Sequence, residues 1–218
     1  MVKMEILKSR EEWLKNRSHY IGGSDAAAIV GANPWKSNTE LWEEKMGRRI
    51  PEDISDKPCV QYGNKAEPSL RRLFALDYPE YKVGYRANNS YSNDKYPWAR
   101  ASLDGTLVEK STGRKGILEI KTTSILQSMQ KEKWKDRIPD NYYCQILHYM
   151  AVTEWDFAIV KAQLKSEFEG NVYLQVKHYI VERADCESDI EYLMNAEKNF
   201  WGCIRNDKKP PLLLPDLK

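Results

Sequence analysis

Asp104 is followed fifteen residues later by Glu119-Ile120-Lys121, and this is the part of the chain whose residue types could do chemistry together. Glu119 and Lys121 are two apart on a predicted strand, so both side chains point to one face, while Leu118 and Ile120 take the other. A hairpin return would bring Asp104 beside Glu119. Two converging carboxylates can hold a hard divalent cation such as Mg²⁺ through oxygen ligands. A neighbouring lysine could then orient a water as the ammonium, or deprotonate it as the neutral amine, for attack on phosphorus. The competing reading is a solvent-facing strand whose charges merely alternate with core residues.

Three further sets extend the pattern. Glu67, in Gly63-Asn64-Lys65-Ala66-Glu67, is a carboxylate inside a predicted helix and a source of a further metal ligand, or else a surface charge. Gln145 and Tyr149 are four apart and share a helix face; both can hydrogen-bond a phosphate or a base, or simply rim an amphipathic helix. Arg17 and Ser24 flank a helix start, where free N–H groups favour an anion; otherwise Arg17 is a surface charge.

The elements that must position these residues follow from local signals. Ser24-Asp25 caps a helix through Ala26–Val30 that Gly31 stops, and Ser37-Asn38-Thr39 caps another, Glu40–Met46, that Gly47 ends. A longer helix is expected from about Cys59 to Tyr78, with Pro68 an awkward interior residue. Tyr81–Arg86, Thr106–Glu109 and Gly116–Lys121 read as strands, the last two joined by a hairpin loop at Ser111-Thr112-Gly113. Helix returns after Pro139, with Ile146, Leu147, Met150 and Ala151 at helical spacing. Strands at Phe157–Leu164 and Val172–Val181 turn at Glu169-Gly170-Asn171. A helix over about Asp185–Ile204 and a Pro-rich tail, 208–218, follow. Together these predict an α/β fold, a mixed β-sheet flanked by helices, in one domain spanning 1–218.

Bulk properties remove other classes. The 218 residues include 41% hydrophobic and 30% charged, with a formal net charge of +2, which reads as an ordinary globular chain without the charge excess of a polyanion binder. The longest apolar run, Ala26–Val30, is far short of the roughly 20 residues of a membrane span. Lys3, Glu5, Lys8 and Arg10 interrupt any signal-peptide pattern. Cys59, Cys144, Cys186 and Cys203 are scattered, which argues against a zinc site or disulfide framework and suits a reducing cytoplasm.

Read in order, six blocks resemble the YqaJ-type viral recombinase nucleases, the phage exonucleases related to lambda exonuclease. They are Arg17 with Ile21–Gly31, Glu40–Gly47, Gly63–Glu67, Ala101–Gly105, Leu118–Thr122 and Gln145–Met150. The resemblance covers about 17–164; the strands, helix and tail of 165–218 carry none. It implies the PD-(D/E)xK restriction-endonuclease-like core and a Mg²⁺-dependent 5′-to-3′ exonuclease on linear double-stranded DNA, leaving 3′ overhangs for single-strand annealing. By resemblance Glu67, Asp104 and Glu119 match the metal carboxylates, with the Ile120 carbonyl a further ligand and Lys121 the catalytic lysine. Arg17, Ser24, Ser102 and Gln145 match positions that hold a terminal 5′-phosphate, and Tyr149 completes a Q-x-x-x-Y pattern. Leu103 departs from the Pro that relatives often carry before the Asp.

The resemblance also implies two Mg²⁺ ions, with Mn²⁺ able to substitute, DNA ends and a single-strand annealing protein as partners, and a ring trimer. It places the protein in a bacterial host or prophage cytoplasm. Some related nucleases hold an iron–sulfur cluster through four cysteines; the scattered four here predict none. Alternatives are an endonuclease or single-strand-specific nuclease on the same fold, or a non-catalytic DNA-end binder. Lys131, Lys133, Lys135 and Arg137 around Trp134 read as a DNA-contacting loop with a stacking indole or as a solvated helix. Trp35, Trp42 and Trp98 could line a duplex channel or act as a wedge, with the core the expected place of Trp42. His19, His148 and His178 show no ligand spacing and read as structural. The Pro210–Pro215 stretch reads as a tail docked on a second subunit or on its own domain.

Overall fold

The computed structural model describes residues 1–125 and 131–213. Its nine strands and six helices run β1 (Val2–Ile6), α1 (Arg10–His19), β2 (Ile21–Gly22), α2 (Gly23–Ile29), α3 (Asn38–Lys45), α4 (Pro58–Asp77), β3 (Tyr81–Gly84), β4 (Asn89–Asn93), β5 (Tyr96–Ala101), β6 (Gly105–Glu109), β7 (Lys115–Ser124), α5 (Asp140–Thr153), β8 (Phe157–Phe168), β9 (Asn171–Glu182) and α6 (Glu187–Arg205) among the described residues. None of these helices is long and apolar enough to cross a membrane.

The five expected strands form one mixed sheet in the order β3-β6-β7-β8-β9. Strand β7 lies at its centre, antiparallel to β6 and parallel to β8. A parallel pair needs a crossover, and α5 supplies it. Alternation along β7 divides the interior. Leu118 and Ile120 join Leu70 and Phe74 of α4 in one apolar cluster, while Ile117 joins a larger one with α2, α5 and α6. Glu119 and Lys121 therefore point beneath α5, and Glu119 is only 2% exposed. The solvent-facing reading of this strand is overturned.

A second sheet, ordered β1-β4-β5-β2, was not legible in the sequence. Asn89–Asn93 is short and polar, Tyr96–Ala101 is short and carries Pro97, and β1 is largely exposed. Helix α1 was likewise hidden. Its sequence REEWLKNRSH buries no residue and so carries no apolar stripe. It is held by Ser9, whose hydroxyl accepts from Glu12 N–H at 3.1 Å.

Two local details correct the sequence reading. Helix α2 begins at Gly23, so Ser24 and Asp25 lie in its first turn and the cap is Gly22, whose N–H donates to Asp25 Oδ2 at 3.0 Å. Trp134 is 2% exposed and packs with Ala162 and Leu164, which removes the stacking role considered for it. Trp42 and Trp98 are also core residues. Of the Pro-rich tail, residues 214–218 lie outside the described residues. The part before them is tied to its own chain, where buried Asn38 donates to the Pro211 carbonyl at 2.8 Å and accepts from Leu213 N–H at 3.0 Å.

Helix α5 is tied to α6 by a fully buried pair, His148 and Glu197. His148 Nδ1 lies 2.7 Å from Glu197 Oε1, and Nε2 lies 2.9 Å from the Arg100 carbonyl of β5. Trp98 Nε1 donates to the other Glu197 oxygen at 3.2 Å. A carbonyl and a carboxylate only accept, so both ring nitrogens act as donors and the ring is an imidazolium. Burial pulls its pKa down, but the Glu197 charge and these hydrogen bonds outweigh that and raise it above 6.5. Glu197→Ala leaves a buried charge without its partner and is expected to cost about 3–5 kcal/mol in urea unfolding. The stabilisation from the raised His148 pKa is complete below the unfolded value of 6.5. It fades as pH rises through the folded value, so the gap between wild type and variant narrows in alkaline buffer.

Candidate active site

One cleft of about 490 Å³ gathers Arg17, Ser24, Glu67, Ser102, Asp104, Glu119, Lys121, Gln145 and Tyr149, which are the expected site side chains. The β6–β7 hairpin brings in the first carboxylates. Gly105 pairs with Leu118, so Asp104 falls opposite Glu119, and its Oδ2 accepts from Ile120 N–H at 3.0 Å. The side chain of Ile120 itself faces the α4 cluster, leaving only its backbone available to the cleft.

Gln145 of α5 ties the centre together. Its Oε1 accepts from Lys121 Nζ at 2.9 Å, and its Nε2 donates to Glu119 Oε1 at 2.9 Å and to the Tyr149 hydroxyl at 2.7 Å. Lys121 Nζ is also 2.7 Å from Glu119 Oε1. Both amide protons of Gln145 are thus committed to protein groups. The Ser102 hydroxyl gives its one proton to the Asn89 carbonyl at 2.9 Å and accepts from Trp13 Nε1 at 3.0 Å. In this geometry Gln145 and Ser102 position neighbours instead of offering a donor to a phosphate.

The anion corner is built by side chains. Arg17 Nη2 donates to Ser24 Oγ at 2.7 Å, and among the described residues the serine proton and the other guanidinium N–H groups have no hydrogen-bond acceptor. Asp25 already serves the N-terminus of α2, so the helix dipole is occupied. Lys45 locks this corner, 2.8 Å from Asp25 and donating to the Tyr20 carbonyl at 2.6 Å. Burial alone would raise the Asp25 pKa; Lys45 and the Gly22 N–H outweigh it and hold the carboxyl below its ordinary value.

Sequence reasoning missed several residues here. Trp13 is met by the guanidinium groups of Arg10 and Arg17, 4.7 and 4.6 Å from its ring centre. The signal was the i+3 and i+4 spacing from Arg10 and Trp13, which has meaning only once α1 is known to be a helix. Arg71, four residues after Glu67, donates to it at 2.9 Å and to the Asp104 carbonyl, and lies over Tyr85 at 3.6 Å. Arg100 covers Tyr20 at 3.7 Å.

Charge in the cleft is held under tension. Burial drives the Asp104 pKa well above its ordinary value, and the charges of Glu119 and Glu67 push the same way, against Lys121 and the Ile120 N–H. Burial also raises Glu119, against the pull of Lys121. Burial would lower Lys121, but Glu119 and Asp104 outweigh it and raise its pKa, so the amine is an ammonium at neutral pH.

Glu119 Oε2 is buried and has no hydrogen-bond partner among the described residues. Among the described residues, however, no group of three or more His, Cys, Asp or Glu side chains is gathered closely enough to hold a metal ion. The expected set of Glu67, Asp104 and Glu119 is not drawn into a closed cluster, because like charges repel and Arg71 and Lys121 each take a carboxylate. An orphaned carboxylate oxygen beside mutually repelling carboxyl groups nonetheless fits a hard, oxygen-seeking divalent cation.

The fit of the helices is equally tight. A Cβ on Gly23 would lie 2.4 Å from Tyr149 Cε1 and 3.0 Å from Gln145 Cγ.

A family model described as the YqaJ-like viral recombinase domain matches residues 12–156. The chain is 33% identical over 201 residues to an uncharacterized protein, YqaJ, of Bacillus subtilis (strain 168), covering 92% of this chain and 56% of that protein. It therefore spans about half the length of that curated relative. Among solved structures it is similar to an alkaline exonuclease, LHK-Exo, from Laribacter hongkongensis, at 16% identity over 90% of this chain and 95% of that one, TM-score 0.61. The complex of LHK-Exo with dAMP matches at 17% identity with the same coverage and a TM-score of 0.58. A phage related exonuclease from Haemophilus somnus matches at 14% over 89% and 99%, TM-score 0.53. At such identities the likeness is one of fold, the restriction-endonuclease-like mixed α/β architecture.

Two outcomes are expected. Gly23→Ala wedges α2 away from α5 and costs about 1–3 kcal/mol in denaturant unfolding. Asp104→Asn removes buried repulsion and raises the melting temperature at neutral pH in buffer free of divalent ions. A carboxyl whose folded pKa is raised costs stability only above its unfolded value of 3.8, so this advantage vanishes as pH falls below that value. An unchanged or lower melting temperature at pH 7 contradicts the repulsion.

Proposed function

The chain belongs to the YqaJ-like viral recombinase domain family, and on that premise we propose that it is a metal-dependent deoxyribonuclease. In this reading it is an exonuclease that removes nucleotides from linear double-stranded DNA in the 5′-to-3′ direction. The observation that carries the reading is a single cleft in which Asp104, Glu119 and Lys121 stand beside the donors of Arg17 and Ser24. The named exonucleases of similar fold support it, as does the dAMP seen bound to LHK-Exo, which points to a deoxynucleotide as the ligand class.

Glu67, Asp104, Glu119 and the Ile120 carbonyl are the groups that would hold the metal. Mg²⁺, as two ions, or Mn²⁺ in its place, supplies when bound the charge that makes water nucleophilic and steadies the leaving 3′-oxygen. The chain's own residues do the rest. Arg17 and Ser24 seat the terminal 5′-phosphate by charge-assisted hydrogen bonds. Lys121 gives two of its protons to Glu119 and Gln145 and keeps a third for the attacking water or a phosphoryl oxygen. Because its pKa is raised it acts as an ammonium, a donor with no lone pair, and its task is to orient and to offset charge rather than to deprotonate water. Gln145 and Tyr149 hold Glu119 and Lys121 in register, and Ser102 holds Trp13 beneath Arg17.

These contacts are to phosphate, so little base preference is expected. The same reading takes residues 1–218 as one domain of phage or prophage origin in the bacterial cytoplasm. It takes the products to be 3′ overhangs for an annealing protein, and the working form to be a ring trimer.

Digestion of duplex DNA labelled on one strand tests the proposal, offered with a 5′-phosphate, with a 5′-hydroxyl and as a closed circle, with Mg²⁺ or with a chelator. Mg²⁺-dependent release from the phosphorylated 5′ end, with the circle intact, is expected. A cut circle makes the enzyme an endonuclease, and binding to ends without cleavage makes it a non-catalytic end binder. Lys121→Ala is expected to lower the rate by about 10²–10⁴-fold with DNA binding retained, since the carboxylates stay in place. Undiminished cleavage removes Lys121 from the mechanism.

A further inference from the structure

The aromatic side chains of the cleft are nearly all covered. Arg10 and Arg17 lie over Trp13, Arg100 over Tyr20, and Arg71 over Tyr85. Tyr142 is met by Lys121 and by Trp134, and Tyr149 by His148. Trp35 differs. It lines the same cleft, is 75% exposed, and has no stacking or cation partner among the described residues. Nor is it on a loose loop. Asn33 Oδ1 accepts from the Trp35 and Lys36 N–H groups at 2.8 and 3.1 Å, and Lys36 is anchored 2.5 Å from Glu44 of α3. A rigid turn thus holds a large apolar ring out in water at the mouth of a charged cleft.

The size of the cleft indicates what such a ring meets. About 490 Å³ lies in the roughly 300–1,000 Å³ range that encloses a molecule of drug size, which suits a nucleotide and not a duplex. A terminal nucleotide that enters must leave its base pair and its stack, and the exposed base then lacks a π partner. Base–aromatic stacking restores one and tolerates any base, because every base has a π face. We infer that Trp35 is the stacking platform for an unpaired nucleobase of the DNA strand entering the cleft. The inference rests on the nuclease reading above and adds to it the group that recognises the substrate as a nucleic acid, as distinct from a bare phosphate ester.

Equilibrium binding of the whole chain to 5′-phosphorylated blunt duplexes, in EDTA to prevent cleavage, tests this. 2-Aminopurine replaces the base at each of the first three positions of the 5′-ended strand in turn. Wild type is expected to quench one of these probes; Trp35→Ala leaves it bright and binds about ten- to a hundredfold more weakly. Trp35→Phe keeps most of the quenching. With an abasic site at the quenched position, wild type and Trp35→Ala bind equally, which a general structural defect would not produce. Because the indole is exposed, the melting temperature of Trp35→Ala is expected to match wild type. Equal quenching and affinity in wild type and Trp35→Ala overturn the inference and leave the nuclease reading standing. Failure of wild type to bind duplex ends at all overturns both.

Discussion

Beneath helix α5 the ammonium of Lys121 and the carboxylate of Glu119 are buried 2.7 Å apart, with the Gln145 amide bridging them. Charges taken out of water are tolerated only when their partners are placed with little freedom, and much of the architecture serves that placement. Strand β7 is central and hydrogen-bonded on both edges, so the two side chains cannot drift along the sheet. Helix α5 must lie close enough for Gln145 to reach both, and the approach of α2 to α5 leaves no room at Gly23 for even a methyl group. The buried His148–Glu197 pair ties the same helix to α6 and, through the Arg100 carbonyl, to β5.

The same site is kept out of its own electrostatic minimum. Asp104, Glu119 and Glu67 repel one another, and Glu119 Oε2 has no partner among the described residues. A chain selected for stability alone would replace one carboxylate by an amide or an apolar group. Retaining all three is the kind of local conflict that marks a functional position, where the strain is carried by well-packed surroundings. Those surroundings are two apolar clusters, one on each face of β7.

Around this centre, arginine and aromatic side chains form a second organising pattern. Arg10, Arg17, Arg71 and Arg100 each lie over a Trp or Tyr ring. Such contacts restrict a long side chain to one position, so the cationic side of the cleft is preorganised. Trp13 contributes twice, by lying under Arg17 and by donating to Ser102, which couples α1 to the loop that presents Asp104.

Much of the fold and of the reactive centre was legible from the residues in order. The alternation Leu118-Glu119-Ile120-Lys121 announces a strand with two unlike faces. The Ser37 capping box, the Gly31 and Gly47 stops and the turn at Glu169-Gly170 mark ends to within a few residues, because these signals act over one turn of chain. Tertiary structure alone decided what depends on partners distant in sequence. It built a second sheet from strands of two to six residues, too short to stand out locally. It turned REEWLKNRSH into a helix with a role, spent the protons of Gln145 and Ser102 on neighbours, and sent Trp134 inward while Trp35 stayed out. The physical reason is range: propensity, capping and alternation are properties of adjacent residues. Burial, charge pairing and the competition for hydrogen-bond donors exist only after folding has brought separate segments together.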